Sequence, residues 1–250
     1  MQFPDPLQEA VLLRRYKRFL ADIELPDGSQ MTLHCPNTGS MKNCQQPGSR
    51  VWFSLSDNPK RKYPGTWQVI EVQAGRDAGA GGSVDECALV GINTGLANRL
   101  VAEAIDSDRV VELRNFSTMR REVAYGKQRS RIDLLLQSDS GVSDCFVEVK
   151  NVSLGMAERV GLFPDAVTSR GQKHLQELID VVQGGQRAVL FFCVQHTGIE
   201  VVRPADEIDP DYGRLLRAAA AAGVELLAYR ARFDLANSQV SLDTRLPVQV

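Results

Sequence analysis

The chain opens with short runs rich in apolar and β-branched residues, each closed by residues that favour turns. Val11 to Leu25, Met31 to His34, Val51 to Leu55 and Thr66 to Val72 read as strands, the first long enough to predict a bend. Pro26-Asp27-Gly28, Pro36-Asn37-Thr38-Gly39, Pro47-Gly48 and Asp57-Asn58-Pro59 punctuate them as turns. Several short strands of this kind hide their edges best in a small barrel, and a five-stranded oligonucleotide-binding (OB-like) barrel has about this size. Gly75 to Gly82 is a low-complexity Gly-rich piece that cannot pack a core and marks a loop or linker. Ala88 to Ile92 is a closing strand that fits either side of that linker.

Past this point the period changes. Leu96, Leu100, Val101, Ala104 and Ile105 form a helical stripe, with Asn93 or Thr94 as its cap. Strands are expected around Val110 to Leu113, before Gly126, at Ser130 to Leu136 and at Cys145 to Val152. A loop from Asn151 to Gly171 leads to a second helix with Leu175, Leu178, Ile179 and Val182 in its stripe, stopped at Gly184-Gly185. Ala188 to Val194 is a continuous apolar run, as in a strand covered on both faces. A helix from Tyr212 to Ala222 and a strand from Val224 to Tyr229 finish the order. The pattern predicts two domains, 1–87 and 88–250, the second a mixed α/β sheet with helices on its faces.

Two of these strands carry chemistry. A turn centred between Ser140 and Gly141 sets Leu136 opposite Cys145 and Asp133 opposite Glu148. Period-two alternation then puts Lys150 on the face of Glu148, while Val147 and Val149 point into a core. Like charges facing each other on paired strands lie roughly 5 Å apart and destabilise the sheet, so a cation is expected there. Lys150 supplies part of it. A hard divalent ion, Mg²⁺ or Mn²⁺, suits the two acids, and Asp followed by Glu-x-Lys is the spacing of a metal-dependent phosphodiesterase site. In that reading Asp133, Glu148 and Lys150 are catalytic, with the acids on the metal and Lys150 on the attacking water or the phosphate. Glu103, off the stripe of the first helix, is a candidate third ligand; a surface pair with Arg99 is the alternative.

Composition narrows the partners. The 250 residues are 43% apolar with a formal net charge of −2, so any nucleic-acid surface is a local patch. Arg14, Arg15, Lys17 and Arg18 lie around Tyr16, and Lys60, Arg61 and Lys62 precede Tyr63 and Trp67. Both clusters suit phosphate contact beside aromatic packing, or a plain solvated face. Lys173 and His174 stand near the start of the second helix, where anions are attracted. The backbone from Asn37 to Ser40 offers phosphate donors or a plain turn. Five Cys without a Cys-x-x-Cys pair, and three scattered His, predict buried thiols in a reducing cytoplasm and no zinc site. No signal peptide or membrane-long apolar run is present, so a soluble, cytoplasmic chain without a membrane partner is expected.

Several runs together resemble one family. They are Arg15-Tyr16-Lys17-Arg18-Phe19-Leu20-Ala21-Asp22, His34-Cys35-Pro36-Asn37-Thr38-Gly39-Ser40-Met41, Asn58-Pro59-Lys60-Arg61-Lys62-Tyr63, Ser130-Arg131-Ile132-Asp133, Val147-Glu148-Val149-Lys150-Asn151-Val152, and Phe163-Pro164-Asp165-Ala166-Val167-Thr168 with Arg170-Gly171-Gln172-Lys173-His174-Leu175. Over essentially the whole chain they resemble the bacterial sugar fermentation stimulation protein family. Asn43 stands where Gly is expected, and the stretch after Gly75 looks like an insertion. The resemblance implies an OB-like barrel followed by a domain like the PD-(D/E)xK nucleases. Its motif positions fall on Asp133, Glu148 and Lys150, with Ile132 in place of the motif's proline, which supplies no ligand. It further implies sequence-independent binding of double-stranded DNA and a regulatory part in maltose and sugar metabolism. The alternative activity is a Mg²⁺-dependent endo- or exonuclease cleaving DNA phosphodiesters; a nuclease fold that grips DNA without cutting it is a third reading.

Overall fold

The structure is a computed structural model that describes residues 1–3, 5–73, 87–126, 130–139, 141 and 143–250. The Gly-rich stretch after Gly75 and Ser140 of the expected turn lie outside the described residues. The first sheet contains β1 (Leu7–Tyr16), β2 (Leu20–Glu24), β3 (Gln30–His34), β4 (Arg50–Leu55), β5 (Gly65–Gln73) and β6 (Cys87–Gly91), in the order β3-β2-β1-β4-β5-β6. An added β3–β5 pairing, the parallel bridge His34 to Thr66, brings the ends of a five-strand circuit together. Gly65 permits that approach, since a Cβ there would meet Leu33 Cδ2 at 2.3 Å. Leu12, Ile23, Leu33, Phe53, Trp67 and Ile70 fill the interior.

Two expectations for this region change. The long first strand does not bend but folds into a hairpin, β1 against β2, with Tyr16 paired to Leu20. Its three-residue turn puts Lys17 and Arg18 at positive φ, 49° and 65°. No Gly, Asn or Pro marks it, so turn chemistry could not reveal it. The closing strand β6 serves both sides: it pairs antiparallel with β5, and its Gly91 and Leu89 exchange backbone bonds with Gln195 and Thr197.

The second sheet is mixed, in the order β15-β14-β12-β9-β8-β7. In chain order its strands are β7 (Thr118–Tyr125), β8 (Ser130–Gln137), β9 (Cys145–Val152), β12 (Arg187–Val194), β14 (Glu225–Asp234) and β15 (Gln239–Leu246). A small sheet joins β10 (Leu154–Gly155), β11 (Val160–Phe163) and β13 (Val201–Pro204), the first two from within the stretch expected to be loop. Helix α1 (Ala97–Asp106) shares one core with Val147, Val149 and Phe191, and this core also takes Trp52 and Val69 from the first sheet. Helices α2 (Ser169–Gln183) and α3 (Pro210–Ala222) pack on the opposite face with Leu190, Phe192 and Val194. As expected, β12 is central and buried.

Val111–Leu113 is a 3₁₀ turn rather than a strand. Its i, i+3 spacing lets Val110 and Leu113 both reach the core while Val111 stays exposed. Asn93 makes no side-chain cap; its amide donates instead to Gln68 Oε1 at 3.0 Å. The last strand expected, β14, has a further antiparallel partner in β15. Cys35, Cys44, Cys145 and Cys193 are buried free thiols, whereas Cys87 is exposed. Among the described residues no helix is long and apolar enough to cross a membrane.

Candidate metal and phosphodiester site

The register expected for β8 and β9 holds, with Leu136 opposite Cys145 and Leu134 opposite Val147. The ladder stops there, one pair short of Asp133 and Glu148. Asp133 fills the gap with its own side chain: Oδ2 accepts from Val149 N at 2.7 Å, and Oδ1 accepts from Asn98 on α1 at 2.7 Å. Glu148 turns to the other helix face. Its Oε1 accepts from Lys150 Nζ at 2.7 Å and also meets His174 Nδ1 of α2. The two acids are thus held from opposite helix layers across the opening between the strands, rather than stacked on one face.

This division decides their charge. Burial, and then repulsion from Glu148, push the Asp133 carboxyl above its ordinary range against the bonds from Val149 and Asn98. Burial pushes Glu148 up as well, but His174 and Lys150 outweigh it and leave its carboxyl below the usual value. Glu148 is 2% exposed and its Oε2 has no hydrogen-bond partner. A buried oxygen left so is costly unless something binds it.

Sequence reasoning missed three neighbours, Glu177, Tyr125 and Asn98. Glu177 lies one helical turn beyond His174 and is fully covered, yet neither carboxylate oxygen has a hydrogen-bond partner. It sits against Gly126, where a Cβ would meet Glu177 Oε1 at 2.7 Å. The Tyr125 hydroxyl is also unpartnered; burial, followed by the charges of Glu148, Glu177 and Asp133, drives its pKa upward. A signal existed, since His174 and Glu177 are polar residues spaced i, i+3 along the buried stripe of Leu175 and Leu178. Asn98 had no comparable signal.

The other candidates separate. Glu103 does not join the acids: its carboxylate takes the terminal ammonium of Met1 at 2.5 Å. Among the described residues no three His, Cys, Asp or Glu side chains gather around one metal position. Arg15 reaches inward, its guanidinium donating to the carbonyls of Arg18, Asn37 and Gly39, and Arg18 Nε bonds Thr38 O. Arg14 pairs with Asp22 and lies over the Tyr16 ring. Lys17, Lys60 and Lys62 are exposed, and Arg61 leans on Thr66 Oγ1. Lys173 is half-buried. His174, expected at a DNA surface, is buried against Glu148 instead, because α2 starts at Ser169 and its first turn is capped by Thr168. Between Asn37 and Ser40, the Gly39 N–H is taken by Asn37 Oδ1 in a local turn.

The barrel reaches this region through its 37–44 loop. Ser40 Oγ bonds Asp165 Oδ2 at 3.0 Å, Asn43 Nδ2 bonds Gly155 O at 3.1 Å, and the Cys44 thiol faces Ser153 O. A cavity of about 90 Å³ lies at this seam, with Asn37, Asn151, Ser153 and Asp165 in its wall.

Comparison with known proteins gives consistent matches along the chain. The family described as Sugar fermentation stimulation protein RE domain matches residues 95–237, and the one described as SfsA N-terminal OB domain matches residues 13–78. A Sugar fermentation stimulation protein homolog of Thioalkalivibrio sulfidiphilus is 56% identical over 93% of this chain and 92% of its own length. The homolog of Shewanella sediminis is 48% identical over all of both chains, and that of Pseudomonas putida 53% identical over 99% and 98%. Among solved structures, Pyrococcus furiosus SfsA in complex with Ca²⁺ superposes with a TM-score of 0.81 at 25% identity, covering 100% of this chain and 98% of that one.

Proposed function

Because the chain belongs to the sugar fermentation stimulation protein family, with its amino-terminal OB domain and a second mixed-sheet domain, we propose that it binds DNA without sequence preference and cleaves phosphodiesters with a divalent cation. Asp133 and Glu148 would hold Mg²⁺ or Mn²⁺. The observation that carries this is the buried, unpartnered Oε2 of Glu148 beside a carboxyl whose pKa is raised. A fold that only gripped DNA gains nothing from that cost.

The residues present fit such an ion. Two hard carboxylates suffice for Mg²⁺, which keeps several of its waters and takes substrate phosphate oxygens, so the absence of a three-ligand cluster among the described residues is no obstacle. That the Pyrococcus furiosus relative is described with Ca²⁺ supports a hard-cation site here. When bound, the cation would polarise the phosphate and lower the pKa of a water. Asn98 and the Val149 N–H fix the Asp133 carboxylate. Lys150 Nζ, 2.7 Å from Glu148 Oε1, places a positive charge beside the same carboxylate, where it can hold an attacking water or the developing phosphate charge. The exposed Lys17, Lys60 and Lys62 of the barrel would draw the phosphate backbone in.

The second reading, gripping without cutting, rests on the same Lys150–Glu148 pair, which neutralises one acid internally. In that case an effect on maltose and sugar metabolism would follow from DNA occupancy alone. One experiment separates the two. Plasmid and single-stranded DNA are incubated with Mg²⁺ or Mn²⁺ and with wild type, Asp133→Asn or Lys150→Ala. Cleavage lowered by about a hundredfold or more in both variants is the expected result, and equal background nicking by all three proteins overturns the enzymatic reading.

A further inference from the structure

His174 touches the candidate site from a helix that carries no motif acid. It is 4% exposed, its Nδ1 lies against Glu148 Oε1, and its Nε2 faces Arg170 Nε at 3.5 Å. An Arg Nε always carries its hydrogen and cannot accept one. The imidazole nitrogen facing it is therefore the one with the lone pair. The ring proton is left on Nδ1, where it donates to Glu148. Lys150 Nζ, 3.3 Å from Nδ1 but 2.7 Å from Glu148 Oε1, directs its own proton to the carboxylate rather than the ring.

This arrangement differentiates the two oxygens of one carboxylate. Oε1 receives His174 and Lys150, and Oε2 is left without a partner. We propose that His174, set in a single tautomer by Arg170, is the positioning residue that pins Oε1 of Glu148 and so presents Oε2 to the divalent cation. The proposal rests on the cation reading of the site. Groups that hydrogen-bond a metal-ligating side chain set its orientation, and their loss weakens metal binding by about 10–100-fold.

Geometry supplies a selective test. An Asn amide at position 174 can place an N–H near the position of Nδ1, whereas a Gln amide reaches toward Nε2. Mn²⁺ affinity is measured by titration calorimetry on the full-length wild type, His174→Asn, His174→Gln and His174→Ala, with the unfolding temperature of each recorded. Wild type and His174→Asn should bind Mn²⁺ alike, and His174→Gln and His174→Ala about 10–100-fold more weakly. The Asn and Gln variants carry the comparison if His174→Ala fails to fold. Unchanged affinity in His174→Gln, or His174→Asn as weak as His174→Gln, overturns the positioning role. A wild type that takes no Mn²⁺ overturns the cation reading itself, and the proposal with it.

Discussion

Burial and the neighbouring Glu148 hold the Asp133 carboxyl above its ordinary range, so its ionised form costs the fold free energy. For an acid whose folded-state pKa is raised, stability falls as pH rises from the unfolded value through the folded one. The cost is fully present only above that folded value. Asp133→Asn keeps an oxygen for the Val149 N–H and removes the charge. In a chelating buffer the variant should unfold at a higher urea concentration than wild type, and added Mn²⁺ should stabilise wild type alone. A lower midpoint for the variant in chelator would show that the carboxylate is a net structural support. The opposing behaviour of Glu148 comes from His174 and Lys150. Sequence shows Lys150, two residues away in the same strand, whereas the second donor, His174, reaches Glu148 only through the docking of α2.

At the scale of the element, the β1–β2 hairpin holds Lys17 and Arg18 in the left-handed region, which costs a residue with a Cβ roughly 1–2 kcal/mol. Such strain persists where surrounding structure imposes it, and Arg15 and Arg18 impose it by tying the turn to the carbonyls of Asn37, Thr38 and Gly39. Lys17→Gly should stabilise the chain by up to about 1 kcal/mol while weakening DNA binding; a fall in stability would place the lysine in the fold rather than at a partner. Strand alternation singled out Asp133, Glu148 and Lys150, but the single face it predicted for the two acids did not hold, because the ladder stops one pair short and each acid turns to a different helix layer. The regular Val240, Leu242, Leu246 spacing of β15 was equally legible and was missed. The Lys17 turn and the 3₁₀ turn at Val111–Leu113 were not legible, since packing and not propensity decides them. The i, i+3 spacing of His174 and Glu177 along the buried stripe of α2 marks them as covered, but which strand residues they meet depends on how α2 docks.

For the molecule as a whole, a formal charge of −2 leaves the proposed DNA binding to local cations. Lys17, Lys60 and Lys62 are exposed on the barrel. Replacing all three by Ala should flatten the slope of log affinity against log salt on duplex DNA, by about 0.9 for each phosphate no longer neutralised. Arg15→Ala should lower stability and leave that slope nearly unchanged, because its guanidinium is spent on backbone carbonyls. A salt slope unmoved by the triple change would remove the barrel from the DNA surface.

The 37–44 loop, bonded to Asp165, Gly155 and Ser153, and β6, bonded on both edges, leave little play between barrel and second sheet. A strand held by the barrel lysines while its backbone reaches Glu148 would then be met at a constant offset from the point of grip. The molecule would act as a caliper, with a footprint of set length on any sequence and a cut, if one is made, always the same number of nucleotides from its edge.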